Sequence, residues 1–156
     1  LPAIGGMTET VMFLALKKAK SVEKLHADTL PENSVIIAAD TVVYKDEIMG
    51  KPIDKEDGFR MLSALKNTFH YVVTGVALLE AGKPNARVFA ETTKVYFTDY
   101  SNEELLSYLD TDEAYDKAGG YAIQGYFSKF TKKIEGGYNT VVGFPWDRIQ
   151  QELKLL

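Results

Sequence analysis

The chain has 156 residues, 46% of them apolar and 26% charged, the make-up of one folded domain with a sizeable core rather than of a disordered segment. Eighteen Lys and Arg against 22 Asp and Glu give a formal charge of -4, so the overall field opposes nucleic-acid backbone and any anionic ligand must be met by local cations. With no cysteine and only His26 and His70 as histidines, thiol nucleophiles, disulfides and cysteine-held zinc are excluded, and carboxylates and lysines are left to do any chemistry. Both histidines are expected at the surface or at element ends. No run reaches the roughly 20 apolar residues of a membrane helix, and no secretory signal pattern is present.

In chain order, Leu1-Pro2-Ala3 opens without Met and reads as the interior of a longer protein. After a Gly5-Gly6 break, Thr8 is expected to cap a helix with Met12, Ala15, Leu16, Ala19 and Val22 on one side and Lys17, Lys18, Lys20 and Lys24 on the solvated face. Val35 to Val43 is short, apolar and β-branched, which predicts a strand buried on both faces and interrupted by Asp40. Lys45-Asp46-Glu47 is of turn length, and Ile48 to Gly50 then returns as the second arm of a hairpin until Pro52. Asp54 caps a helix carrying Met61, Leu62 and Leu65. Tyr71 to Leu79 and Arg87 to Phe97 form a long antiparallel pair around a Gly82-Lys83-Pro84-Asn85 turn, with Gly75 marking a bulge or a close backbone approach. Ser101 and Glu104 make a capping box for a third helix. Asp116 to Gly125 is too irregular for helix or strand, and Phe127 to Ile134 is expected as a further strand. Pro145 opens a last helix with Ile149, Leu153 and Leu156 on one side. No repeat or linker divides the chain, and the class is mixed α/β with several antiparallel pairs.

Asp40 stands out because an ionised carboxylate within a buried strand costs several kcal/mol, on the order of a lost ion pair, unless a cation, a metal or a wet cleft meets it. Lys51 returns close to its level if the chain doubles back near Asp46, but a one-residue change of register decides whether the two share a face. Two readings stay open at this point: an ion pair that braces a hairpin, or a functional pair. The glycines of the 116–125 segment likewise fit either a tight structural loop or backbone that must approach a ligand.

Ala39-Asp40-Thr41-Val42-Val43, Gly50-Lys51-Pro52 with Asp54, and Val73-Thr74-Gly75-Val76 resemble the Maf family of nucleoside triphosphate pyrophosphatases. Asp116-Lys117-Ala118-Gly119 with Tyr121, Ile123-Gln124-Gly125, Ile134-Glu135-Gly136 and Val141-Val142-Gly143-Phe144-Pro145 are similar to that family's second half, so the likeness covers nearly the whole chain as one domain. The resemblance implies an elongated, largely antiparallel α/β fold of the inosine triphosphatase type, with flanking helices and a cleft between two lobes. It implies hydrolysis between the α and β phosphates in the cytoplasm, with Mg²⁺ or Mn²⁺ as cofactor and a homodimer as an admissible assembly, without nucleic-acid or membrane partners. Asp40 matches the family's catalytic acid-base residue and a candidate metal ligand, while Lys51 and Lys18 match lysines of the active cleft.

The family's opening strand and Ser-x-Ser-Pro-Arg-Arg loop have no counterpart here, nor has the acidic residue that follows them. The expectation is that a few tens of residues are missing; the alternative is a member that has lost part of its phosphate grip. Thr41 and Gln124 match the branch that acts on dTTP and UTP, and a primary amide such as Gln124 can accept from N3 of uracil or thymine and donate to the adjacent oxygen. The alternatives are the branch acting on modified purines such as 7-methylguanosine triphosphate, and a non-catalytic nucleotide-binding regulator of septum formation.

Overall fold

Five antiparallel strands form the centre of the molecule in the order β2-β1-β3-β4-β5. The strands are β1 (Val35–Lys45), β2 (Glu47–Met49), β3 (Phe69–Glu80), β4 (Ala86–Phe97) and β5 (Thr131–Glu135). This computed structural model describes residues 2–156, with side chains from Gly6 onward; Leu1, on which the expectation of a longer protein rests, lies outside them. The helices are α1 (Pro2–Leu25), α2 (Lys55–Leu65), α3 (Asn102–Leu109), α4 (Tyr138–Val142) and α5 (Trp146–Leu153).

One face of the sheet is covered by α1, and its seam is Met7, Val11, Ala15 and Ala19, all buried at four-residue spacing. These meet Ile36, Val73, Ala77 and Leu79 of β1 and β3. The helix therefore starts earlier than expected: it runs through Gly5 and Gly6, and Thr8 lies inside it rather than capping it. Two helical glycines cost about 1 kcal/mol each, which burial of Met7 and Val11, at roughly 1.5–3 kcal/mol per large apolar side chain, offsets. Val22, expected on the buried side, is 40% exposed.

Gly75 sets how closely α1 sits. A Cβ there would overlap the Val11 carbonyl and come within 2.6 Å of the Met12 nitrogen, so the close-approach reading of this strand glycine holds and no other residue fits. Gly75→Ala is expected to push α1 off the sheet, lowering stability by about 1–3 kcal/mol or more. An unchanged melting temperature in Gly75→Ala would contradict this packing.

The opposite face carries the larger core. Val43, Val72, Val95 and Phe97 of the sheet pack with Met61, Leu62 and Leu65 of α2, Leu105, Tyr108 and Leu109 of α3, and Tyr121 and Phe127 from the segment after α3. Further along, Val76, Leu78 and Phe89 meet Ile149 of α5. Asp54 caps α2 by accepting from the Asp57 backbone, and the Ser101–Glu104 capping box is formed. Gly119, at φ 72°, would press any Cβ against Val43 at 2.9 Å, and it folds the 116–125 segment back on the β1–β2 hairpin. Gly119 and Gly120 thus pack against the protein itself, and Tyr121 and Ile123, which follow them, are buried.

Three other expectations change. Residues 126–130 form a short 3-10 helix, so the strand expected from Phe127 begins only at Thr131. The five-residue α4 was not anticipated. His70, expected at the surface or at an element end, does stand at the start of β3 but is fully buried, because strand alternation puts it beside Val72 on the core face and opposite Val95.

Candidate active site

The hairpin turn at Asp46, with φ 61°, pairs β2 only with Val43–Lys45. Residues 35–42 of β1 are consequently held by β3 alone and form an open edge of the sheet. Strand β1 is therefore not buried on both faces as its composition suggested; Val35 and Ile37 are exposed. Along this edge Asp40 stands opposite Gly75 and Thr41 opposite Thr74. Directly opposed residues share a face and successive residues alternate, so Asp40 points to the α1 side and Thr41 to the other.

The cation that meets Asp40 comes from α1, not from the hairpin. Lys18 lies two turns beyond Val11, the residue that rests on Gly75, and its ammonium donates to Asp40 Oδ1 at 2.7 Å and to the Ala39 carbonyl at 3.1 Å. Asp40 keeps 20% of its side chain exposed and Lys18 keeps 55%, so this pair is wet and available rather than a sealed structural bridge. Lys51 follows the end of the β2 ladder at Met49 and stands on the same cleft without pairing to Asp40.

That cleft has a volume of about 430 Å³ and bends around the open edge of β1. All five residues singled out in the sequence, Lys18, Asp40, Thr41, Lys51 and Gln124, line it. So do Asp116 and Lys117, which the sequence reading left within a motif and gave no role. Lys117 donates to Asp116 at 2.7 Å and to the Glu113 carbonyl at 3.1 Å. Asp116 is held below the usual carboxylate range by that hydrogen bond and by the charges of Lys117 and Lys51. Three lysines against two aspartates line the cleft, giving a positive local field in a chain of net negative charge, which suits a polyanion.

The two sides of the cleft differ. Lys18 and Asp40 occupy the α1 side of the edge strand, while Thr41 shares its side with Val43 and Val72, which with Ile123 and Val141 make an apolar wall. Tyr121 closes that wall from behind, its hydroxyl 2.6 Å from Nε2 of the buried His70. The Lys18–Asp40 pair thus stands on one side of the edge strand and an apolar wall on the other.

Among the described residues, no group of three or more His, Cys, Asp or Glu stands ready to hold a metal ion. Asp40 is the carboxylate available on the Lys18 side. A hard divalent cation is commonly held by one or two carboxylates together with substrate phosphates, and this donor set fits such an ion better than a resident protein-only site.

The family described as Maf-like protein matches residues 4–156. The dTTP/UTP pyrophosphatase of Geobacillus sp. (strain WCH70) is 46% identical over 149 residues, covering 95% of this chain and 76% of that protein. That of Caldanaerobacter subterraneus subsp. tengcongensis is 43% identical over 145 residues, covering 92% of the chain and 68% of the relative. That of Carboxydothermus hydrogenoformans is 44% identical over 147 residues, with 94% and 76% covered.

Proposed function

The chain belongs to the Maf-like protein family, and from that premise we propose that it hydrolyses dTTP and UTP to the nucleoside monophosphate and pyrophosphate. The observation that carries this is the convergence of Lys18, Asp40, Thr41, Lys51 and Gln124, drawn from across the chain, on one cleft that holds three lysines and an apolar wall. The names of the relatives support the same substrates.

Lys18, Lys51 and Lys117 meet the triphosphate as point charges, drawing the polyanion into the cleft and stabilising charge that builds on the phosphate oxygens during displacement. Lys18 holds Asp40 Oδ1, which fixes the carboxylate and leaves Oδ2 to take the proton of the attacking water. Mg²⁺ or Mn²⁺ carried on the phosphates would be held by Asp40 and would supply further charge neutralisation. The base lies against the apolar wall, with the exposed amide of Gln124 at its polar edge.

Kinetics with pyrophosphate detection are expected to show dTTP and UTP well ahead of ATP, GTP and CTP, with activity lost on exhaustive chelation. In Gln124→Ala that ranking should shrink by about fivefold or more, the cost of one unpaired buried polar contact, with little change in melting temperature. Preference for a methylated purine triphosphate, or binding without release of pyrophosphate, would overturn the proposal.

A further inference from the structure

Thr41 differs from an ordinary exposed hydroxyl because its proton has somewhere it must go. The fully buried Thr74 hydroxyl donates to the Thr140 carbonyl at 2.7 Å. A threonine hydroxyl has one proton, so in the 2.8 Å contact between the Thr41 and Thr74 hydroxyls the donor is Thr41. Thr41 is then left with only lone pairs to offer the cleft. Its surroundings keep it so: Gly143 closes against the hydroxyl, where even a Cβ would lie 3.2 Å from it, and the Gly143 amide, donating at 3.1 Å, keeps the Thr140 carbonyl in place.

We infer that Thr74, through the relay Thr41 to Thr74 to the Thr140 carbonyl, is a positioning residue that makes Thr41 an obligate acceptor for the N3–H of a uracil or thymine imide. The inference rests on the proposed dTTP and UTP activity and goes beyond it by assigning the polarity of one contact and the residue that sets it. The apolar neighbours Val43, Val72, Ile123 and Val141 place this acceptor against the ring rather than the phosphates. The imide edge is then divided between two side chains, Thr41 taking the N3 proton and the Gln124 amide donating to an adjacent carbonyl, in place of Gln124 serving both. Cytosine, with a bare N3, sets lone pair against lone pair at Thr41.

The test compares UTP, CTP and N3-methyl-UTP on the wild type, Thr74→Val and Thr74→Ser, with melting temperatures for each. Wild type is expected to use N3-methyl-UTP at least tenfold less well than UTP, roughly the penalty for one buried group left unpaired. Thr74→Val frees the Thr41 proton, so its UTP-to-CTP ratio of kcat/KM should fall by tenfold or more, chiefly through KM for UTP, and Thr74→Ser should restore it. An unchanged ratio in a folded Thr74→Val protein overturns the relay. Equal use of UTP and N3-methyl-UTP by wild type overturns it without any variant. Failure of wild type to hydrolyse either UTP or dTTP removes the functional proposal and this inference together, an outcome distinct from the first two.

Discussion

Replacing Asp40 by Asn is expected to lower turnover of dTTP and UTP by about 10² to 10⁴ while leaving the fold intact. The amide keeps the size and the strand position but offers no basic oxygen to water. It also meets the Lys18 ammonium, 2.7 Å away in the native pair, with a dipole instead of a charge. Because both partners are partly in solvent, losing the pair costs the fold at most about 1 kcal/mol, so the effect separates cleanly into chemistry and stability. Single-turnover rates measured beside thermal denaturation decide it. Wild-type turnover in a folded Asp40→Asn protein excludes Asp40 from the mechanism.

The second large effect is acid sensitivity traced to His70. Burial pushes this imidazole down from 6.5 to about 3, with the charge of Lys45 acting in the same direction. Its Nε2 contacts the Tyr121 hydroxyl and its Nδ1 has no hydrogen-bonding partner. A depressed folded value means that the contribution to stability is complete above pH 6.5 and is lost as the pH falls towards 3. At about 1.4 kcal/mol for each pH unit between the two values, the loss approaches roughly 5 kcal/mol, a large share of the 5–15 kcal/mol typical of a domain. Urea unfolding between pH 7 and pH 4 should therefore steepen in wild type relative to His70→Gln, which starts less stable and loses less. Parallel curves for the two proteins would mean that His70 does not carry the acid response.

What could be read from residues alone was what local chemistry decides. The β1–β2 hairpin, the long β3–β4 pair and the caps at Asp54 and Ser101 are written in alternation and in short-range donors and acceptors. The candidate site was legible where a residue broke the local pattern, as Asp40 does in an apolar strand. Where packing outweighs propensity the pattern misled: α1 passes through two glycines because its buried seam holds it to the sheet. His70 sits at a strand start that alternation could have placed inward, had the strand been begun at Phe69 rather than Tyr71. The Thr74–Thr140 contact joins residues 66 positions apart, and no local signal announces it. Lys117 was hidden among many lysines, distinguished only by the loop that folds back on Val43.

Neighbouring positions on the open edge of β1 have different evolutionary freedom. Asp40 and Thr41 are adjacent in sequence but on opposite sides of one strand, so under the proposed function a point substitution at Thr41 would retune which base is accepted without touching the Asp40 carboxylate. An insertion or deletion between Val35 and Asp40 has no such latitude, since a shift of one residue exchanges the two sides of every position that follows. It would send the carboxylate to the apolar wall and the hydroxyl to the Lys18 side. New nucleotide preferences in this lineage are accordingly open to exchange of side chains and closed to changes in strand length.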